Sequence, residues 1–126
     1  MLQSLTAFAS YLVTALALLA VFILIYARVT PYNDFKLIAE NNQGAAIVLS
    51  GAIMGFTFPL LASIYYTQSL VEMALWASIT CVVQLLVFIA LRRQAVRIEA
   101  GHTAPAILTA TLSISVGLIN ALCISH

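Results

Sequence analysis

The residues best placed to do chemistry in this chain are uncharged. Gln84 lies about 11 residues, or roughly 16 Å along a helix, inside a long apolar run. Ser113 and Gly55 fall at comparable depth in two other runs, and Asn120 follows Ser113 two turns later. An amide or hydroxyl in such a place has two uses. It can bond across a helix contact, or it can line a path for a small polar solute. The ionisable residues lie elsewhere. Asp34, Glu40, Glu72 and Glu99 all stand at or beyond the ends of the apolar runs. That argues against a proton-coupled transporter with a carboxylate inside the membrane. A hydrolase would need a nucleophile with an oriented base, and no such set stands out. His102 and His126 each lack a second ligand at i+3 or i+4. Cys81 and Cys123 have no CxxC spacing and read as small packing residues with free thiols. The expectation is a protein that is not an enzyme and carries neither metal nor cofactor.

These residues need helices in lipid to position them. Of the 126 residues, 63% are hydrophobic and 7% charged. Soluble domains are about 45–50% apolar and about 25% charged. A water-soluble fold of this length could not hide so much apolar surface. The formal net charge of +1 offers nothing to nucleic acid. The fold class is therefore an all-α membrane protein. Each span needs about 20 apolar residues to cross about 30 Å of hydrocarbon. Four runs qualify: about 5–26, 44–66, 73–91 and 104–124. Strands of a membrane barrel would be shorter and strictly alternating.

The five basic residues fix an orientation. Arg28 and Lys36 follow the first run, and Arg92, Arg93 and Arg97 follow the third. The turn from Thr67 to Glu72 has no base, and neither does the tail. By the positive-inside bias both basic loops are cytoplasmic and both termini lie outside. Met1 to Ser10 holds no Lys or Arg, so the first run reads as a retained helix rather than a signal peptide.

The chain also repeats itself. Val21-Phe22-Ile23 recurs as Val87-Phe88-Ile89, at an offset of 66. Asn42-Gln43-Gly44 aligns with His102-Thr103-Ala104, at an offset of 60. A tandem duplicated two-helix hairpin, residues 1–66 and 67–126, explains both. Its repeat axis would lie along the membrane normal. In the first basic loop Pro31 ends the span. Asn33 then caps a short interfacial helix, with Asp34 in its first turn where the dipole favours an acid. Phe35, Ile38 and Ala39 form its expected apolar face, opposite Lys36 and Glu40.

Packing is expected along two stripes. One is Gly51-x-x-x-Gly55 with Pro59 a turn further. The other is Ala106, Thr109, Ser113, Gly117 and Asn120. Gly51, Gly55, Ser113 and Gly117 would let backbones approach, and Thr80, Gln84 and Phe88 share a face of the third span.

Thr30-Pro31-x-Asn33-Asp34-Phe35-x-Leu37-Ile38, Asn41-Asn42, Ser50-Gly51, Gly55, Pro59-Leu60 and Asn120-Ala121 resemble the YjfL-like family. Those are small four-span bacterial inner-membrane proteins of unknown function. The resemblance covers nearly the whole chain. It departs where the family tends to repeat Asn-Thr-Ala-Ala and this chain has His102-Thr103-Ala104-Pro105. It implies a duplicated hairpin in a bacterial cytoplasmic membrane, where the positive-inside bias puts both termini in the periplasm. It also implies a neighbourhood of envelope-stress proteins of the PspA kind, which coat the inner leaflet. It carries over no functional residue.

Two functions follow as expectations. One is a homo-oligomeric module in the lipid bilayer that recruits or responds to a cytoplasmic partner through Arg28, Lys36, Arg92, Arg93 and Arg97. The other is an oligomeric pore or carrier lined by Gln84, Ser113 and Asn120. Orientation is testable directly. In a background lacking Cys81 and Cys123, an impermeant thiol reagent on spheroplasts should label Ser69→Cys and miss Gln94→Cys. The reverse pattern would overturn the positive-inside assignment.

Overall fold

The structure, a computed structural model, describes residues 2–30, 33–67, 69–91 and 95–124. Its elements are all helical: α1 Leu2–Val29, α2 Asp34–Ala39, α3 Gln43–Thr67, α4 Leu70–Ala90, α5 Ala95–Glu99 and α6 Thr103–Ile124. Helices α1, α3, α4 and α6 are long and apolar enough to cross a membrane. Each agrees with its expected span to within three residues at either end. In lipid a helix satisfies its own backbone groups, so an apolar run without breakers extends until a cap or a proline stops it.

The short helices refine the expected loops. Asn33 caps α2 as anticipated, with the Lys36 N–H donating to Asn33 Oδ1 at 3.1 Å. The face turned to the bundle lies beside the apolar face expected to rest in the membrane interface. Phe35 and Ala39 are exposed, whereas Asp34 is buried and Leu37 and Ile38 are half-buried. Positions 34, 37 and 38 share one stripe at i, i+3, i+4, and Phe35 is a quarter-turn away from it. Helix α5, which buries Ala95 and Ile98, was not anticipated. Five residues are too few to show a helical period.

The α2 and α5 turns close with the same bonds. Glu40 N–H donates to Lys36 O at 3.1 Å, Asn41 N–H to Ile38 O at 3.0 Å and Asn42 N–H to Leu37 O at 2.8 Å. Sixty residues on, Ala100 N–H donates to Val96 O at 3.1 Å, Gly101 N–H to Ile98 O at 2.9 Å and His102 N–H to Arg97 O at 3.0 Å. Both are Schellman closures, which need a left-handed residue just past the helix. Asn41 has φ 65° and Gly101 has φ 91°. Asn42 then joins the two loops. Its Oδ1 accepts from Ala45 N–H at 3.0 Å, capping α3, and its Nδ2 donates to Glu99 O at 2.8 Å.

Helix α3 is the centre of the bundle and buries residues around most of its circumference. Its closest neighbour is α6. A side-chain carbon placed on Gly51 would lie 2.5 Å from the Ala110 Cα. One on Gly55 would strike the Ser113 carbonyl oxygen, and one on Gly117 would strike the Gly55 carbonyl oxygen. Helix α4 packs on this pair along a single stripe: Met73, Ala77, Thr80, Gln84 and Phe88. Helix α1 is the most peripheral and fully buries only Phe22 and Tyr26. Phe22 stacks on Phe56 with centroids 4.4 Å apart, and Tyr26 meets Phe88 edge-on at 5.5 Å. The outward leucines, valines and isoleucines of all four long helices remain exposed, as lipid contact requires.

The helix-helix contact predicts a steep cost for added volume. Both clashing atoms at Gly55 and Gly117 belong to backbone, which cannot swing aside. Gly117→Ala should destabilise by about 1–3 kcal/mol, and Gly55→Leu by at least as much. Thermal melts in detergent would show it, with outward-facing Thr111→Ala as a control. A wild-type melt for Gly117→Ala would mean that α3 and α6 are not in backbone contact.

Candidate functional site: a buried polar seam and a basic end

Gln84 of α4 is fully buried, and its Nε2 donates to the main-chain oxygen of Ser113 in α6 at 3.1 Å. A side chain on Gly55 would come within 2.6 Å of the same nitrogen. Three helices therefore meet at one level, and the three residues expected at equal depth are the ones that meet. The reason is local. Pro59 has no N–H, so the Gly55 carbonyl lacks its usual helical donor. Gly117 lies against that carbonyl, which brings the backbones of α3 and α6 together and leaves α4 to reach in with a long side chain. Gln84 Oε1 and Ser113 Oγ are buried without a protein partner.

Asn120 joins the seam one level away, with its Nδ2 donating to Thr80 Oγ1 at 3.3 Å. Other hydroxyls bond within their own helices: Thr109 Oγ1 to Pro105 O at 2.9 Å and Ser63 Oγ to Leu60 O at 2.7 Å. The expected stripe Ala106, Thr109, Ser113 and Gly117 is buried throughout. So are Gly51, Gly55 and Pro59. The seam can therefore tie helices together. Gln84, Ser113 and Asn120 are absent from the walls of the crevice and of the polar hollow described below. A crevice of about 330 Å³ lies instead between α1 and α4, walled by Leu18, Phe22, Phe56, Ala77, Cys81 and Leu85.

Arg28, Lys36 and Arg97 are exposed at the opposite end of the bundle from the α3–α4 turn, and Arg92 and Arg93 fall outside the described residues. A polar hollow of about 400 Å³ opens at this same end between Glu40, Asn41, Asn42, Gln43, Glu99 and Gly101. His102 is exposed. Among the described residues no three of His, Cys, Asp and Glu converge.

Sequence reasoning passed over one pair. Thr30 Oγ1 lies 2.5 Å from Asp34 Oδ2, and both residues are buried. Burial pushes the Asp34 carboxyl above its ordinary 3.8, against opposing bonds from Thr30 and from its own backbone N–H. The available signal was the i, i+4 spacing of a hydroxyl and a carboxyl across Pro31. An acid in the first turn of a helix reads more readily as a solvated cap.

The family model for Domain of Unknown Function (DUF350) matches residues 1–124. The UPF0719 inner membrane protein YjfL of Escherichia coli (strain K12) is 32% identical over 128 residues, covering 98% of this chain and 97% of that one. The protein of the same name from Escherichia coli O157:H7 matches equally. No solved structure matches the chain. The helical bundle, the loop residues that resemble YjfL and the nearly end-to-end match agree: the chain belongs to the DUF350 family and is similar over nearly its whole length to the YjfL inner membrane proteins.

Proposed function

We propose that this chain is a non-catalytic, multi-pass protein of a bacterial inner membrane that assembles into homo-oligomers and docks a peripheral cytoplasmic protein at its basic end. The partner is of the PspA kind. The inner-membrane location follows the name of the Escherichia coli relative. Both termini face the periplasm, because the basic loops favour the cytoplasm. The chain is a duplicated hairpin, 1–66 and 67–126. The matching Schellman closures at an offset of 60 support this, as does the burial of both Phe22 and Phe88 at an offset of 66.

One observation carries the choice of a module over a pore. Gln84, the most deeply placed amide, is bonded to a backbone carbonyl in a seam closed on three sides by helices. A pore would turn that amide towards water. A second reading, a path for a small polar solute through an oligomer, draws on Gln84 Oε1 and Ser113 Oγ, which have no protein partner.

Vesicle flotation separates the two. Proteoliposomes carrying the wild-type chain should recruit a purified PspA-like coat protein. Arg92→Glu with Arg93→Glu, or Arg97→Glu, should reduce recruitment. Gln84→Leu should leave it unchanged. It should also leave folding intact, since one interhelical bond in a membrane is worth about 0.6 kcal/mol and at most about 1–2. Loss of cellular function in Gln84→Leu, with stability and recruitment preserved, would reject the module and favour the polar path.

A further inference from the structure

Thr30 and Asp34 sit where α1 stops and α2 begins. Thr30 Oγ1 lies 2.9 Å from the Ala27 carbonyl oxygen and 2.5 Å from Asp34 Oδ2. A hydroxyl has one hydrogen and cannot donate to both. The Ala27 carbonyl has the stronger need. Its helical donor would be residue 31, which is proline and has no N–H. With Thr30 donating to Ala27, Thr30 Oγ1 can only accept from Asp34, and a carboxyl donates only when it is protonated. Any other bond made by Thr30 leaves this count unchanged, because it adds no second hydrogen to the hydroxyl.

The surroundings agree. Asp34 is 1% exposed and its Oδ1 has no partner. Lys36 and Glu40 on its own helix point outward, as does Arg28 on α1. Helix α3, against which α2 packs, carries no charged residue along its length. Arg97 and Glu99 of α5 and His102 before α6 are exposed, and Arg92 and Arg93 lie outside the described residues. An ionised carboxylate here would be buried with Thr30 and its own backbone N–H as its donors, whereas a neutral acid is far less costly to bury.

We propose that Asp34 is a proton-binding site at the basic membrane face. Its carboxyl keeps a proton on Oδ2 while α2 is docked, and giving that proton to interfacial water releases α2 from the bundle. The O–H bond of the acid breaks, its electrons stay on the carboxylate, and the proton passes to interfacial water.

The sign of the pH dependence follows from the docked form holding the proton more tightly than the released form. Docking is strongest below the ordinary carboxyl value of 3.8. It weakens as pH rises above that value, by about tenfold per pH unit, and levels off above the docked-state value.

Asp34 is the only aspartate in the chain, so carboxyl-¹³C aspartate labels it alone. In lipid nanodiscs the labelled carboxyl of the unmodified protein should titrate by NMR above 3.8. Tryptic cleavage after Lys36, which needs α2 released, should rise across the same pH range. Asp34→Asn, whose amide can still donate to Thr30, should fold and should lack that rise. A carboxyl that titrates at or below 3.8 would overturn the proposal. So would cleavage that does not follow the titration, or that rises identically in Asp34→Asn. If Asp34→Asn does not fold, the labelled wild-type titration and its cleavage profile still decide the matter.

Discussion

The contact between α3 and α6 at Gly51, Gly55 and Gly117 is the constraint that organises the bundle. Lipid gives helices no hydrophobic reason to associate, so close packing has to supply the attraction. Close packing here needs two backbones side by side, which only missing side chains allow. Pro59 adds a second condition by removing the donor for the Gly55 carbonyl. Gly117 comes to rest on that carbonyl. Once the pair is fixed, α4 has one groove to fill, and Gln84 is the side chain that reaches its floor.

On the proposed duplication, the same contact bears on how residues 1–66 and 67–126 differ. The loops of each half end in the same three bonds and a left-handed residue, so α3 and α6 start in matching register. Between α1 and α4 the offset is 66, and Phe22 and Phe88 are both buried. Yet the residue in α1 that corresponds to Gln84 is Leu18, which is half-buried against the core. The polar tie is therefore confined to the second half, and α1 stays at the edge of the bundle, where its outward residues meet lipid.

The long helices were readable because length and apolarity are properties of a run, and lipid converts such runs into helices almost without exception. The packing stripes were readable for a related reason. Glycines and small polar residues at i, i+4 spacing have few other uses inside an apolar helix. What stayed hidden depended on the meeting of distant segments. Asn42 caps its own helix and also binds Glu99 O, and nothing local to Asn42 points to that second bond. Helix α5 is too short for periodicity to reveal. The inward turn of Asp34 depends on where α2 begins, because a shift of one residue would have buried Phe35 and exposed the acid.

Polar groups are sorted by depth, and the sorting limits where the protein can respond to its surroundings. Deep within the spans the polar side chains are amides and hydroxyls, several of them held by bonds inside or between helices. A change of pH or of surface charge therefore acts first on the helix ends. At the end that carries the basic residues, the exposed cations face the phase beyond the membrane, while the one buried carboxyl lies behind them at the joint between α1 and α2. Helix α2 packs on α3, and the loop that follows it is joined to α5 through Asn42. A movement of α2 would thus reach the α5 turn through this bond. The loop of Asp34 and the loop of Arg97 and Glu99 are thus tied through Asn42, even though they lie about 60 residues apart in sequence.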